Sequence, residues 1–385
     1  MSFLGNLLGV KANLLIGPSP MVAPMPMEAL EALEELEVKL SDCGPSGFKL
    51  AFRYGRSGPL DFLESSLVTD QRLTRGARLI VTMLFDFVPT VIFDGVVTER
   101  KVLPGDGPGQ GRIVLLGRDL SHEMDKEVKE TEHPAMDETA IATLIAASYP
   151  QFGMIPMVLP PLMIDPPLPI DRTPQQRCSD WAYLRAMAKR HGYETYVDPG
   201  PAPGTNTLYW GPPVRPGVPQ RTMTVSSGPA TDAYDIEISH SAEDVATVEG
   251  EVIDRQTGAR MPVAAMMPTR TPMGAVPEAA TLMSSSRTRR IETSGFNFAQ
   301  AMARAQAMVD ECSGKIVTVT GTLNSVNYNG ALKARDPVFL RGVGAVFGGL
   351  YKVAEVRHRI RPGDYTQDFT LTRSELGAMA PVVMP

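Results

Sequence analysis

The stretch RCSDWAYLRAMAKRHGYETYVD, Arg177 to Asp198, carries a serine, an aspartate and a histidine, the side chains from which a nucleophile, an orienting carboxylate and a general base are assembled. Their spacing decides what they can do. Trp181, Leu184, Met187, Ala188 and His191 recur at i, i+3, i+4 intervals, which predicts a helix with one buried stripe, capped by Ser179 or Asp180 and ended by Gly192. On one rigid helix Ser179 and His191 are about three turns apart and cannot converge. The same residues make sense as scaffold: Trp181 and Leu184 as core, and His191 at the carbonyl end of the helix, where an imidazolium is favoured. YETYV, starting at Tyr193, the turn DPGPAPGTN and TLYW then predict a hairpin against which the helix lies.

Other candidates for chemistry are weaker. HEMDK at His122 lacks the second histidine of a zinc-protease helix, and neither a Gly-x-Ser-x-Gly elbow nor a phosphate-cradling Gly-x-x-x-x-Gly-Lys occurs. GDGPGQG, Gly105 to Gly111, breaks the dinucleotide spacing and leads into a strand, so it reads as a hairpin turn. Cys43, Cys178 and Cys312 are odd in number, far apart and without metal-ligand spacing, which argues against a disulfide framework or a zinc site and fits a reducing cytoplasm. Neither a catalytic residue, a cofactor nor a metal is expected.

Composition narrows the partners. The 37 basic and 43 acidic residues give a formal charge of -6, with no basic stripe interleaved with aromatics, so specific nucleic-acid binding is not expected. Glu34 and Glu35, and the series Glu127, Glu130, Glu132, read as solvated faces. The opening MSFLGNLLGVKANLLIG is apolar but interrupted by Lys11 and too short to span a bilayer. It reads as an arm, residues 1–28, whose Phe3, Leu4, Leu7 and Leu8 pack on a neighbouring subunit; stable membrane insertion is not expected.

The elements that hold these residues are mainly strands. From Ala29 to Leu120, ELEVKL, FKLAFRY, ARLIVTMLF, TVIFDGVVTER and GRIVLLGRD predict a meander of about five strands in a small barrel or sandwich, residues 29–125. A mixed section, 126–221, begins with a helix capped by Asp137, with Ile141, Leu144 and Ile145 along one side, followed by the proline-rich Met154 to Pro174, which is extended at the surface. Period two returns at Thr222. Residues 222–376 form a second β domain that also holds a helix capped by Asn297, with Phe298, Met302, Ala305 and Val309 on its buried side, and 377–385 is a tail. Within it Gly258 to Ile291, rich in Met and Pro and lacking alternation, reads as a long loop. Its methionines and the cluster Arg287, Arg289, Arg290 suit ordering against an adjacent subunit. The fold class expected is thus mainly β with an α+β insertion: two β-barrel domains flanking a helix-plus-hairpin section.

Two stretches resemble a known family. In SDWAYLRAMAKRHGYETYVD, Ser179, Asp180, Leu184, Ala188, Gly192 and Tyr193 fit a Ser-Asp-x-x-x-Leu-x-x-x-Ala-x-x-x-Gly-Tyr helix before a hairpin. In DPVFLRGVGAVFGGLYKVAEVRHRIRPGDYTQDFTLTR, a Gly-x-Tyr-x-Val-x-x-Val-x-His strand, with Tyr351, Val353 and His358, precedes a Tyr-x-x-x-Phe strand, with Tyr365 and Phe369. Both resemble the phage late control protein D family. The element order matches from about Ala29 to Arg373.

The resemblance implies a structural hub in the baseplate of a contractile phage tail or related injection system, similar to the hub part of the type VI secretion spike. It implies two tube-like β domains per chain, so that a homotrimer adapts a hexameric tail tube to a trimeric spike, with tube or tube-initiator protein, spike and other baseplate proteins as partners. It implies a location in the virion tail or injection particle, after assembly in the bacterial cytoplasm, and no enzymatic activity. With no further barrel or β-helix repeat before Pro385, the piercing tip is expected to be a separate protein. Two alternatives belong to other classes. A tail-associated peptidoglycan hydrolase requires a carboxylate or Cys-His constellation in a cleft; a receptor- or carbohydrate-binding β protein requires exposed aromatics, whereas aromatics are 6% of the chain.

Overall fold

The computed structural model describes residues 10–42, 44–54, 66–86, 88–105, 110–161, 173–213, 218–241, 246–253, 258–269, 273–274, 287–291, 296–313 and 316–377. It is mainly β with an α+β insertion. The chain opens with β1 (Lys11–Pro18), the two-residue β2 (Ala23–Pro24), β3 (Leu33–Ser41), β4 (Gly47–Tyr54), β5 (Ala77–Phe85), β6 (Val88–Leu103) and β7 (Gly111–Asp119). A mixed section follows: β8 (Val128–Glu132), the helix Glu138–Ala147, β9 (Met154–Val158), β10 (Gln175–Ser179), the helix Asp180–Arg190, β11 (Glu194–Pro199) and β12 (Asn206–Gly211). The remainder holds β13 (Gln220–Thr224), β14 (Ala233–His240), β15 (Ala246–Ile253), β16 (Arg260–Ala265), β17 (Arg287–Arg290), the helix Phe298–Ser313, β18 (Val317–Asn324), β19 (Pro337–Arg341), β20 (Gly349–Arg361) and β21 (Asp364–Arg373).

The two β portions are not separate bodies. Their strands form one sheet in the order β14-β18-β21-β20-β3-β4-β7-β6-β5-β1-β2, with β19 beside β20 and β13 beside β19. The described pairings make an open path with ends at β14 and at β1 with β2. Alternation along most of the strands puts apolar side chains on one face, and that face buries two clusters, while β5 and the middle of β6 are buried on both faces. One contains Leu36, Leu50, Phe52, Leu79 and Ile113; the other Val319, Val353, Val356, Phe369 and Leu371. Ile360 and Tyr365, at the far ends of β20 and β21, belong to the first cluster, so the cores meet where the halves meet.

Two expectations about the ends of these regions change. Lys11–Pro18, assigned by its apolar character to an arm, is β1, antiparallel to β5 along its whole length, with Ala12, Leu14 and Ile16 buried; the alternation that Lys11 and Asn13 start is the mark of a half-buried strand. Phe3, Leu4, Leu7 and Leu8 lie outside the described residues. The segment 258–291 is not loop throughout: β16 pairs antiparallel and β17 parallel with β15, and this small sheet packs on the helix Phe298–Ser313 through Val248, Val252, Val263, Ala301, Ala305 and Val309. Pro262 inside β16 is tolerated because β16 is an outer strand of the three.

Candidate assembly site at the junction of the two halves

The helix Asp180–Arg190 forms as its spacing predicts, but its inward stripe is Tyr183, Leu184, Met187 and Ala188. Trp181 sits on the shoulder of that stripe and is only partly buried; the tryptophan enclosed by the mixed core is Trp210 on β12, whose Nε1 donates to the Leu184 carbonyl at 3.3 Å. Likewise Leu144 faces outward, and Ala142 and Ala146 fill the place expected for it. Leu144 is displaced because small residues at that contact allow close packing, whereas on Asp180–Arg190 the larger Tyr183, Leu184 and Met187 take the inward stripe.

The three residues that could have been a triad each bond elsewhere. Ser179 Oγ accepts from the Ala182 N–H as N-cap and bonds the Asp125 carboxylate. Asp180 is held by Lys129 at 2.5 Å, Tyr149 at 2.7 Å and Gln176 at 2.7 Å. His191 ends the helix as its C-cap residue, and its Nε2 lies 2.6 Å from Glu138, the first residue of the other helix of this section. Burial pushes the Glu138 carboxyl up, but the His191 hydrogen bond and the Arg190 charge leave it below its ordinary value. Gly192 takes φ +63°, and a Cβ there would meet Ala307 of the helix Phe298–Ser313 at 3.0 Å, so a side chain is excluded both by conformation and by space. Tyr193 stacks edge-on against Trp210 with ring centres 5.1 Å apart.

The residues of the second motif converge on β20. Tyr351 and Val353 point into the core, the pairing with β21 slips between Val353 and Glu355, and from there Val356, His358 and Ile360 point inward. The odd spacing Tyr-x-Val-x-x-Val-x-His is therefore the signature of a β-bulge at Ala354, which inserts one residue and restores the apolar face on the other parity. His358 is fully buried; its Nδ1 lies 3.0 Å from the Tyr365 hydroxyl, and burial lowers its pKa to about 3, so it is neutral. The Tyr351 hydroxyl donates to the Phe347 carbonyl at 2.6 Å, and the Arg373 guanidinium lies over the Tyr351 ring at 4.4 Å. Phe369 pairs with Val356 across the hairpin.

The bulge is also where β20 changes partner. One edge pairs with β21 from Lys352 to Arg361, while the other pairs with β19 at Gly349–Lys352 and with β3 at Glu355–Ile360. The gap so opened is filled by charged groups, and the β11–β12 hairpin closes over it. Arg335, 2% exposed, stacks on Tyr196 at 4.0 Å, bonds the Asp198 carboxylate, and donates to the Ser41 carbonyl at 2.6 Å. Lys352, 5% exposed, lies between Asp42 at 3.1 Å and Glu194 at 2.6 Å. On the other side of the hairpin, Arg78 and Asp94 pair at 2.7 Å, and Asn206 Nδ2 donates to Asp94 at 2.9 Å. The hairpin thus joins the second half through the Arg335–Asp198 and Lys352–Glu194 ion pairs and the first half through the Asn206–Asp94 hydrogen bond, contacts that orient because a buried charge is costly unless paired. None of these positions was singled out from sequence; a lone arginine in ALKARDP has no periodicity to mark it.

These contacts position elements against one another. Among the described residues no group of His, Cys, Asp and Glu is placed to hold a metal ion, and no helix is long and apolar enough to cross a membrane.

No family model and no curated protein matches the chain. Solved structures do. A tail protein from Neisseria meningitidis superposes with a TM-score of 0.62 at 12% identity, over 94% of this chain and 96% of that one. The 43 kDa tail protein of prophage MuSo2 from Shewanella oneidensis gives 0.63 at 11%, over 94% and 99%. An E. coli component of the type VI secretion system, described as similar to bacteriophage T4 tail proteins, gives 0.53 at 10%, over 92% and 78%. The chain therefore has the fold shared by phage tail proteins and type VI secretion components.

Proposed function

We propose that this chain is a structural hub protein of a contractile tail baseplate or related injection system, that three copies form a ring, and that the ring adapts a hexameric tube to a trimeric spike. The observation that supports this most is the single sheet made of two β halves joined at β3 and β20, with open strand edges at both ends. Such edges call for a partner strand, and a head-to-tail contact between unlike ends closes into a ring when the rotation allows it. Three copies of a doubled unit present six β units to a sixfold tube. In this reading residues 29–125, with β1 added, and 222–376 are the tube-like units, and 126–221 faces the rest of the baseplate. Trp181, Leu184, His191, Gly192, Tyr193, Tyr351, Val353, His358, Tyr365 and Phe369 serve packing, and the protein carries out no bond chemistry. Native mass spectrometry of the purified chain, alone and with its spike, should show three copies. A monomer that persists at high concentration and in the presence of the spike overturns the reading.

A further inference from the structure

The face of the sheet opposite the core carries a second site, unconnected with ring closure. A groove of about 1040 Å³ crosses β3, β4 and β7. Its walls hold four cationic side chains on two carboxylates. Glu34 lies 2.7 Å from Arg53 and 3.0 Å from Arg112; Glu35 lies 2.9 Å from Lys49 and 2.6 Å from Arg361. Each carboxylate is shared between two cations, which fixes the cations in place. Arg53, Arg112 and Arg361 are more than half exposed. With Glu31 included, the lining is four positive against three negative in a chain of net charge -6. The floor between the charges is apolar, from Ala51 and Val114, and Leu103 and Tyr54 stand at one end.

We propose that this groove binds an extended acidic polypeptide segment of a partner protein, with carboxylates on the guanidinium groups and an apolar side chain on the floor between them. β3, β4 and β7 are paired on both edges, so recognition has to come from side chains and not from an added strand. Planar guanidinium groups match carboxylates two bonds at a time. A nucleic-acid strand fits worse: among the described residues of the lining Tyr54 is the single aromatic, where base binding uses a series of stacking rings.

Fluorescence anisotropy on the intact chain tests this with a labelled peptide alternating Glu and Leu, a Lys and Leu peptide, and a single-stranded oligonucleotide. The acidic peptide should bind and weaken with salt, at least tenfold tighter than the other two. Arg53→Glu with Arg112→Glu should lower that affinity tenfold or more, while Arg185→Glu, on the exposed side of the helix Asp180–Arg190, should leave it unchanged; matching circular dichroism and melting curves show that the variants are folded. Arg112→Gln alone should give an intermediate loss. Absence of acidic-peptide binding, tighter oligonucleotide binding, or equal loss from Arg185→Glu overturns the proposal.

Discussion

His358 shows what burial does to a titrating group. Its folded pKa of about 3 lies below the ordinary 6.5, so above the ordinary value it is neutral whether folded or not and adds no pH dependence. Between the two values the unfolded chain takes up a proton that the native one refuses, and stability falls as pH drops, by up to about 1 kcal/mol per pH unit for one such group. Urea denaturation at successive pH values from neutral to mildly acidic should therefore show a shallower decline for His358→Gln than for the unaltered chain; parallel declines would mean that the histidine is not the group concerned. The two tryptophans differ in the same way by enclosure. Trp210→Ala removes a ring with no solvent exposure and should cost about 3 to 5 kcal/mol, whereas Trp181→Ala should cost roughly half as much or less. Sequence periodicity placed Trp181 near the core but could not rank it against Trp210, because a four-residue apolar run such as TLYW has no phase of its own.

At the scale of elements, legibility followed local pattern. Strands β3 to β7, the capped helices and the β11–β12 hairpin are written in alternation, caps and turn residues that act within a few positions. What was not legible depends on partners far along the chain: β16 and β17 form because β15 pairs with both, and the helix Phe298–Ser313 covers β15 and β16. Glu34 and Glu35 look like solvated charges in one dimension and become cross-strand pairs only once β4, β7 and β20 lie beside β3. The bulge was legible in retrospect as a phase slip within GLYKVAEVRHRI. Deleting Ala354 leaves Tyr351, Val353, Val356 and His358 on one face in strict alternation and removes only the extra residue at which β20 passes from β19 to β3. The deletion variant should therefore keep a cooperative melting transition at lowered stability, and Ala354→Gly should keep one with a loss of about 1 kcal/mol; loss of cooperativity on deletion would mean that the change of partner along β20 needs the extra residue. The junction is as specific: Arg335→Met removes the guanidinium that bonds the Asp198 carboxylate and the Ser41 carbonyl and should cost about 3 to 5 kcal/mol in denaturant unfolding.

For the whole molecule, the question is whether the open ends of the sheet are used. β14 exposes Tyr234, Asp235, Glu237 and Ser239, and a second lysine-sized charge on such an edge discourages another strand from adding to it. Tyr234→Lys with Ser239→Lys should keep the melting temperature of the isolated chain and lose the trimer in native mass spectrometry. A trimer that survives would place the contact between copies elsewhere. Connectivity between the two β portions was the main global feature that sequence did not reveal, since nothing in β3 or β20 marks the other as its neighbour across more than three hundred residues.

That shared strand has a mechanical consequence. The hydrogen bonds between β3 and β20 lie across the strand direction, so a pull along the strands loads the whole ladder from Glu355 to Ile360 at once, in shear, while a pull across them would open it one bond at a time from an end. With β21 gripping the opposite edge of β20 over most of its length, β20 is anchored in its own half, so force applied to one half reaches the other through the β3–β20 ladder, and in this sheet the halves part only when that ladder breaks.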